Sequence, residues 1–175
     1  LVAQETTLYG TDLYGEKKLP ALLHELCRIE GLEWIRILYC YPEEITEELI
    51  QTIKEEPKIC HYLDIPIQSG SDRILKLMGR RTNTDQIRNM ISKLRGEIPD
   101  ICIRTTFITG FPTETEEDFT DTMEFINEME FDRLGVFTYS PEEDTPAANM
   151  DGQAEEEVKV RRQEEMMELQ QEIAF

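Results

Sequence analysis

The chain alternates between two hydrophobic periods, and that alternation limits the folds open to it. Short apolar runs at 1–3, 34–40, 62–67, 101–108 and 134–139 are rich in β-branched and aromatic residues, the composition of strands. Apolar residues between them recur at helical spacing, as in Leu19, Leu22, Leu23 and Leu26, then Ile45, Leu49, Ile50 and Ile53. Ile87, Met90, Ile91 and Leu94 repeat the pattern, and so do Phe119, Met123, Ile126 and Met129, each set marking one face of a helix. A short helix over 71–78 ending at Gly79 and a highly charged one over 158–173 complete the series, and Thr46 stands where an N-cap is wanted. Five βα units at roughly 30-residue spacing predict a parallel sheet with crossover helices. Right-handed crossovers leave an open doubly wound sheet or a barrel. Five units are too few for a closed (β/α)₈ barrel, so the fold expected is α/β, a partial open (β/α) barrel of five parallel strands. The barrel is expected over 1–150, with a C-terminal helix over 151–175 packing on it or leaving it.

Polar residues gather just past the strand ends, at 4–7, 68–71, 109–110 and 138–140, the edge that carries ligands in both architectures. The stretch RTTFITGFPTETEEDF (104–119) shows the pattern well, an apolar run delivered into a Gly-Phe-Pro turn and a burst of acid. Phe107, Ile108 and Phe119 read as core, and the acids from Glu114 to Asp118 suit a helix N-terminus whatever the function. Arg104 interrupts the apolar strand and must face solvent, an acid or an anionic ligand group, because an unpaired buried guanidinium is costly. Gln68-Ser69-Gly70-Ser71-Asp72 reads as a tight turn and a helix cap, yet free N–H groups and two hydroxyls also suit a carboxylate or a ribose. Residue chemistry leaves both readings open.

Of 175 residues, 18 are basic and 37 acidic, for a formal charge of −19. That balance argues against this segment gripping nucleic acid by itself, since phosphate contacts need clustered Lys and Arg. A basic protein partner fits better, and so does a merely solubilising surface. No phosphate loop or GxGxxG is present. His24 and His61 stand in no triad-like setting and read as structural or surface residues. Cys27, Cys40, Cys60 and Cys102 are widely spaced with no metal-ligand pattern; three lie in or beside apolar stretches, where Cys behaves as a small hydrophobe. With no signal peptide and no apolar run of about 18 residues, a reduced, cytoplasmic, soluble protein without a membrane partner is expected. The chain opens LVAQETT without Met, apparently inside a strand, and reads as a piece of something longer.

Several segments together carry a resemblance: QETTLYGTDLYG (4–15), YCYPEEIT (39–46), HYLDIPIQSGSDRILKLMGRRT (61–82), RTTFITGFPTETEEDF (104–119), FDRLGVFTYSPEEDTPAA (131–148) and LQQEI (169–173). They cover nearly the whole chain, which resembles the radical S-adenosylmethionine methylthiotransferases. It is most similar to the branch that modifies an aspartate of a small-subunit ribosomal protein, with the branch that modifies a tRNA adenosine as the alternative. A non-catalytic α/β binding domain is the reading from a different class.

The resemblance implies a six-unit open barrel whose first βα unit is absent here, and with it the CxxxCxxC ligands of a 4Fe–4S cluster. By itself this chain is therefore expected to be inactive, and the resemblance assigns it no catalytic side chain and no metal ligand. The S-adenosylmethionine pocket is implied across the strand ends. Gln4, Glu5 and Thr6 match the position meeting the methionine amino group, and Gln68, Ser69 and Ser71 the region of ribose and carboxylate. Arg104 and Thr106 project from the family's fifth strand, Ile108, Thr109 and Gly110 form its adenine-facing turn, and Tyr139 ends the sixth strand near the substrate entrance. The chemistry implied is reductive cleavage of S-adenosylmethionine to a 5′-deoxyadenosyl radical, hydrogen removal from the substrate β-carbon and sulfur insertion from a second cluster. One departure stands out. The family usually reads GFPGET, and here Thr113 replaces the glycine; if the position needs φ > 0, threonine strains the turn.

Overall fold

A computed structural model describes every residue from Leu1 to Phe175. Its strands are β1 (Ile35–Ile37), β2 (Ile59–Asp64), β3 (Cys102–Thr109) and β4 (Arg133–Thr138). The helices are α1 (Thr11–Tyr14), α2 (Leu19–Cys27), α3 (Glu47–Glu55), α4 (Asp72–Leu77), α5 (Thr84–Glu97), α6 (Glu116–Met129) and α7 (Glu156–Ala174). The strands form one parallel sheet in the order β1-β2-β3-β4. Sequential parallel strands demand crossover helices, and β1 and β4 are the two outer strands and do not pair with each other, so this is an open α/β sheet and not a closed barrel.

The expected first strand is the one element that does not form. Leu1 exchanges two backbone bonds with the β1 segment, its nitrogen to the Arg36 carbonyl at 2.6 Å and its carbonyl from Leu38 N–H at 3.1 Å. The chain then bends into a 3₁₀ turn at Thr6–Leu8 before a ladder can extend. β1 is also shorter than the apolar run predicts, because Tyr39 adopts φ 57° and breaks the extended backbone. Regular pairing of β2 ends at Asp64, and the chain rejoins β3 through an isolated bridge between Gln68 and Phe107.

The chain divides into two compact units, with the division passing through α5 and β3. The first comprises Leu1–Pro66 and Asn89–Arg104. Its core is aliphatic, with Leu19, Leu23, Ile37, Leu49, Ile53, Leu63 and Leu94 all buried. Thr46 caps α3 by accepting from Leu49 N–H at 3.1 Å, and Glu47 and Glu48 occupy the first turn, where acid opposes the positive helix end. Both histidines are tied to carboxylates, His24 Nδ1 to Glu56 at 2.7 Å and His61 Nδ1 to Asp100 at 2.6 Å.

The second unit comprises Ile67–Arg88 and Thr105–Phe175. Its core is aromatic, with Phe131 between Phe107 and Phe125 at centroid distances of 6.1 and 6.2 Å. Ser71 caps α4, and Thr115 caps α6 in a capping box with Asp118. α7 packs on β4 and α6. Although highly charged, it buries Lys159, Arg162, Met166 and Gln170.

Candidate functional site

Strain in the backbone is concentrated past the strand ends. Four of the five non-glycine residues with left-handed φ lie in the loops leaving the strands, namely Tyr39 (57°), Gln68 (78°), Thr113 (69°) and Asp144 (64°). Such conformations persist only where surrounding contacts over-determine them, and they cluster at ligand sites.

In the first unit, Glu5 is fully committed to the protein. Its Oε1 accepts from Thr7 N–H at 3.0 Å and from the Thr7 hydroxyl, and its Oε2 from Tyr41 N–H at 2.8 Å. Thr6 is buried and donates its hydroxyl to the Leu38 carbonyl at 2.5 Å. Gln4 is exposed. Burial, with the Glu5 and Asp64 carboxylates nearby, pushes the Cys40 thiol far above its ordinary pKa, so it stays neutral. Arg104 finds the acid that its place in the strand demands. Its Nη1 donates to Asp64 Oδ1 at 3.2 Å across the β2–β3 pairing. One strand level earlier, the Arg36 guanidinium lies 4.7 Å from the centroid of the Tyr62 ring. Asp64 is the residue that sequence reasoning missed. Its only signal was an acid ending an apolar strand, with its partner forty positions away.

In the second unit, β3 alternates between half-buried and buried positions. Thr106 and Ile108 share the partly open face, whereas Thr109 is buried and donates to the Lys159 carbonyl at 3.0 Å. Gly110 has φ 72°, and its N–H donates to Glu114 Oε1 at 2.9 Å. Lys159 leaves no room there, since a Cβ on Gly110 would stand 2.2 Å from Lys159 Cγ. Ser69 and Ser71 face inward. Ser69 Oγ accepts from Ser71 N–H at 3.1 Å, and Ser71 Oγ donates to Asp118 at 2.7 Å. Burial opposes the charge of Asp118, but Arg73, the Thr115 N–H and hydroxyl, and Ser71 hold its carboxyl well below the usual range.

Gln68, Ile108 and Tyr139, by contrast, line a cavity of about 360 Å³ together with Met78, Phe111 and Met150. Tyr139 sets its ring edge-on to Phe111 at 5.4 Å, and its hydroxyl is buried without a hydrogen-bond partner. A mostly apolar cavity with a few polar groups has the form of a small-molecule site. The four cysteines are free thiols, and no group of three or more His, Cys, Asp or Glu side chains could hold a metal ion. The side chains of this segment therefore do not fit an iron–sulfur cluster.

Thr113 answers the question its sequence raised, because the position is left-handed. Thr113 N–H donates to the Gly152 carbonyl at 2.8 Å, and Arg73 Nη1 and Nη2 hold its hydroxyl and carbonyl at 3.2 and 2.5 Å. A left-handed non-glycine residue costs roughly 1–2 kcal/mol, partly offset in a glycine variant by unfolded-chain entropy. Thr113→Gly should therefore raise stability by about 1 kcal/mol, a Tm increase of about 2–4 °C. A lower Tm would show that the Arg73 contacts outweigh the strain.

An open parallel α/β sheet with crossover helices defines the class as an open α/β fold. Residues 2–126 match the Radical SAM superfamily, and the chain belongs to that superfamily. It is 66% identical over 175 residues to the ribosomal protein uS12 methylthiotransferase RimO of Lachnoclostridium phytofermentans, covering 100% of this chain and 40% of that protein. RimO proteins of Acetivibrio thermocellus and Desulfitobacterium hafniense are 57% and 54% identical, over 99% and 100% of this chain. The chain thus spans about 40% of the length of the curated relatives it matches. Coproporphyrinogen III oxidase HemN of Escherichia coli, a radical SAM enzyme, shares the fold at TM-score 0.70 and 22% identity, over 89% of this chain and 36% of its own. No helix is long and apolar enough to cross a membrane.

Proposed function

We propose that this chain is the radical SAM portion of a longer methylthiotransferase that adds a methylthio group to an aspartate β-carbon in ribosomal protein uS12. The observation that carries the reading is identity of 66% over the whole chain to a uS12 methylthiotransferase. These relatives favour the ribosomal-protein branch over tRNA modification, and the strand-end sites favour a catalytic domain over a simple binding module. In this reading residues 1–150 belong to the barrel and 151–175 carry the C-terminal helix, which packs on β4 and α6. A ribosomal substrate favours a cytoplasmic enzyme.

S-adenosylmethionine, when bound, supplies the hydrogen-abstracting chemistry, together with 4Fe–4S clusters held by ligands outside this chain. The residues here bind and orient it. Gln68, Ile108 and Tyr139 border the apolar cavity suited to the nucleoside; in the first unit, Arg104 carries a guanidinium that stays partly exposed beside Asp64. Thr106 shares the Ile108 face, while Gln4, Glu5 and Thr6 shape the loop after the first apolar run. Ser69, Ser71, Thr109 and Gly110 hold the loops around the site, their hydroxyls or N–H groups already engaged. The net charge of −19 favours steering of a basic protein substrate.

The test is to incubate the longer protein, with its clusters reconstituted, with uS12 and separately with tRNA, and to follow the mass gain of a methylthio group. Modification of uS12 alone, with kcat/KM falling as salt rises, is expected. Modification of tRNA alone would move the chain to the sister branch, and a salt-independent rate would remove the steering argument.

A further inference from the structure

We propose that residues 140–155 form a hinged flap, which undocks to admit a small molecule to the cavity beside Tyr139 and docks again to hold it. This rests on the reading of that cavity as the nucleoside site and concerns how the site opens and closes.

The segment is pinned at both ends and loose between them. At one end Tyr139 N–H donates to the Thr109 carbonyl at 2.8 Å, and the buried Lys159 donates its Nζ to the Tyr139 carbonyl at 3.0 Å. At the other end α7 begins at Glu156 and packs on β4 and α6. Not one residue from Ser140 to Glu155 is buried. Yet the segment is ordered within itself. The Thr145 hydroxyl donates to the Glu142 carbonyl at 2.8 Å and accepts from Ala148 N–H at 3.3 Å. A 3₁₀ turn follows at Ala147–Asn149, and the Gln153 amide donates to the Ala147 and Met150 carbonyls at 3.0 Å. A loop this long, packed by its own contacts, is commonly a functional one.

The walls of the cavity differ in kind. One is fixed: Ile108 lies on β3 with its N–H on the Gln68 carbonyl at 3.0 Å, and Phe111 is buried. Another is made by Pro146, Ala147 and Met150 of the loop, none of them buried. A single hydrogen bond ties the span of the loop to the rest of its unit, from Thr113 N–H to the Gly152 carbonyl at 2.8 Å. Arg73 holds Thr113 by its hydroxyl and carbonyl, so the donor stays in place while the acceptor can leave. One backbone bond and half-buried apolar contacts mark a segment that opens far more easily than the domain unfolds. Lids that gate binding sites are drawn from such segments. Gly152 is the vulnerable half of the latch. Its φ of 75° suits glycine, and a Cβ there would stand 3.1 Å from Thr113 Cγ2.

The test follows amide hydrogen exchange, and the binding kinetics of 5′-methylthioadenosine as a nucleoside probe, in the longer, cluster-reconstituted protein. The Thr113 N–H reports undocking, and the Ile108 N–H, on the fixed wall, reports loss of the sheet. Corrected for intrinsic rates, Thr113 should exchange about a hundredfold faster than Ile108 or more, the mark of local opening. Probe at about a hundred times its Kd should slow Thr113 about a hundredfold, because the docked loop holds the ligand. Gly152→Ala should speed Thr113 exchange about tenfold, the scale of one strained left-handed residue. It should also raise the on-rate and off-rate of the probe by about that same factor, since both pass through the undocked loop. Exchange of Thr113 that keeps pace with Ile108, in a protein that binds the probe, makes the loop a fixed wall; it overturns the proposal and leaves the nucleoside reading intact. An off-rate that rises in Gly152→Ala while the on-rate stays put overturns it as well. Where Gly152→Ala does not fold, the wild-type exchange comparison decides. A wild-type protein that does not bind the probe defeats the nucleoside reading itself, and the proposal with it.

Discussion

Replacing Glu114 with alanine should destabilise the chain by about 3–5 kcal/mol, the range for removing one partner of a buried ion pair. The Glu114 and Arg162 side chains are 2% and 4% exposed, and Arg162 Nη1 reaches Glu114 Oε1 at 2.7 Å. That same oxygen accepts the Gly110 N–H, so the substitution strands a backbone donor and removes the buried carboxylate from a guanidinium that keeps only the Glu114 carbonyl at 3.2 Å and Glu116. Glu116 still pairs with Arg162 at 2.8 Å, but its own side chain is 64% exposed and screened by water.

The pair is not strongly stabilising in itself. Burial raises the Glu114 pKa above the ordinary value, against the pull of the Gly110 N–H and Arg162. By linkage, a raised carboxyl contributes stability in full below its unfolded pKa, and loses it as pH rises through the folded one. At neutral pH the charged carboxylate is therefore no better placed than in water. Glu114→Leu combined with Arg162→Met should accordingly recover most of what Glu114→Ala loses. Urea unfolding of the three variants at pH 7 decides the matter. An alanine variant within 1 kcal/mol of the parent would mean that water or Glu116 substitutes for the lost partner.

A similar cost follows from a much smaller change at Gly70. A Cβ there would stand 2.7 Å from Thr122 Cα and 2.8 Å from Phe125 Cβ. The first of these is backbone of α6 and cannot swing aside. Gly70 also donates its N–H to Thr122 Oγ1 at 3.0 Å, so the loop cannot retreat without losing that bond. Gly70→Ala should cost about 3 kcal/mol, the upper end of ordinary overpacking. By displacing Gln68 and Ser69 it should also weaken nucleoside binding in the longer protein. Thr122→Ser, which trims a methyl group but leaves the Cα, should not rescue it. Rescue would show that the clash lies with the side chain and not with the helix.

These residues show what could be read in the chain itself. Helices announced themselves through local signals, with Thr46 and Ser71 capping the helices they precede. Strand ends were less legible, because Tyr39 and Gln68 take left-handed backbone without the glycine that usually marks it. Thr113 was legible as an oddity, and its φ of 69° makes it one in fact. At the site, Arg104 revealed its need for an acid, because a cation in an apolar strand must go somewhere. Which acid it meets depends on pairing with a strand distant in sequence, which the residues around Arg104 do not show. Lys159 and Arg162 stayed hidden for the opposite reason. In a helix so rich in charge, two buried cations look like all the solvated ones around them.

The buried clamp on the Gly110 turn also bears on where such a domain can be cut. The superfamily match stops at residue 126, inside α6, whereas the lysine and arginine that brace the turn after β3 sit on α7, which begins at Glu156. A fragment trimmed to the matched region would keep the glutamate and discard its guanidinium. It would also lose β4 and the helix that packs on it. A piece that keeps this clamp therefore has to run beyond Arg162, so the superfamily's sequence match ends short of the contacts that hold the turn.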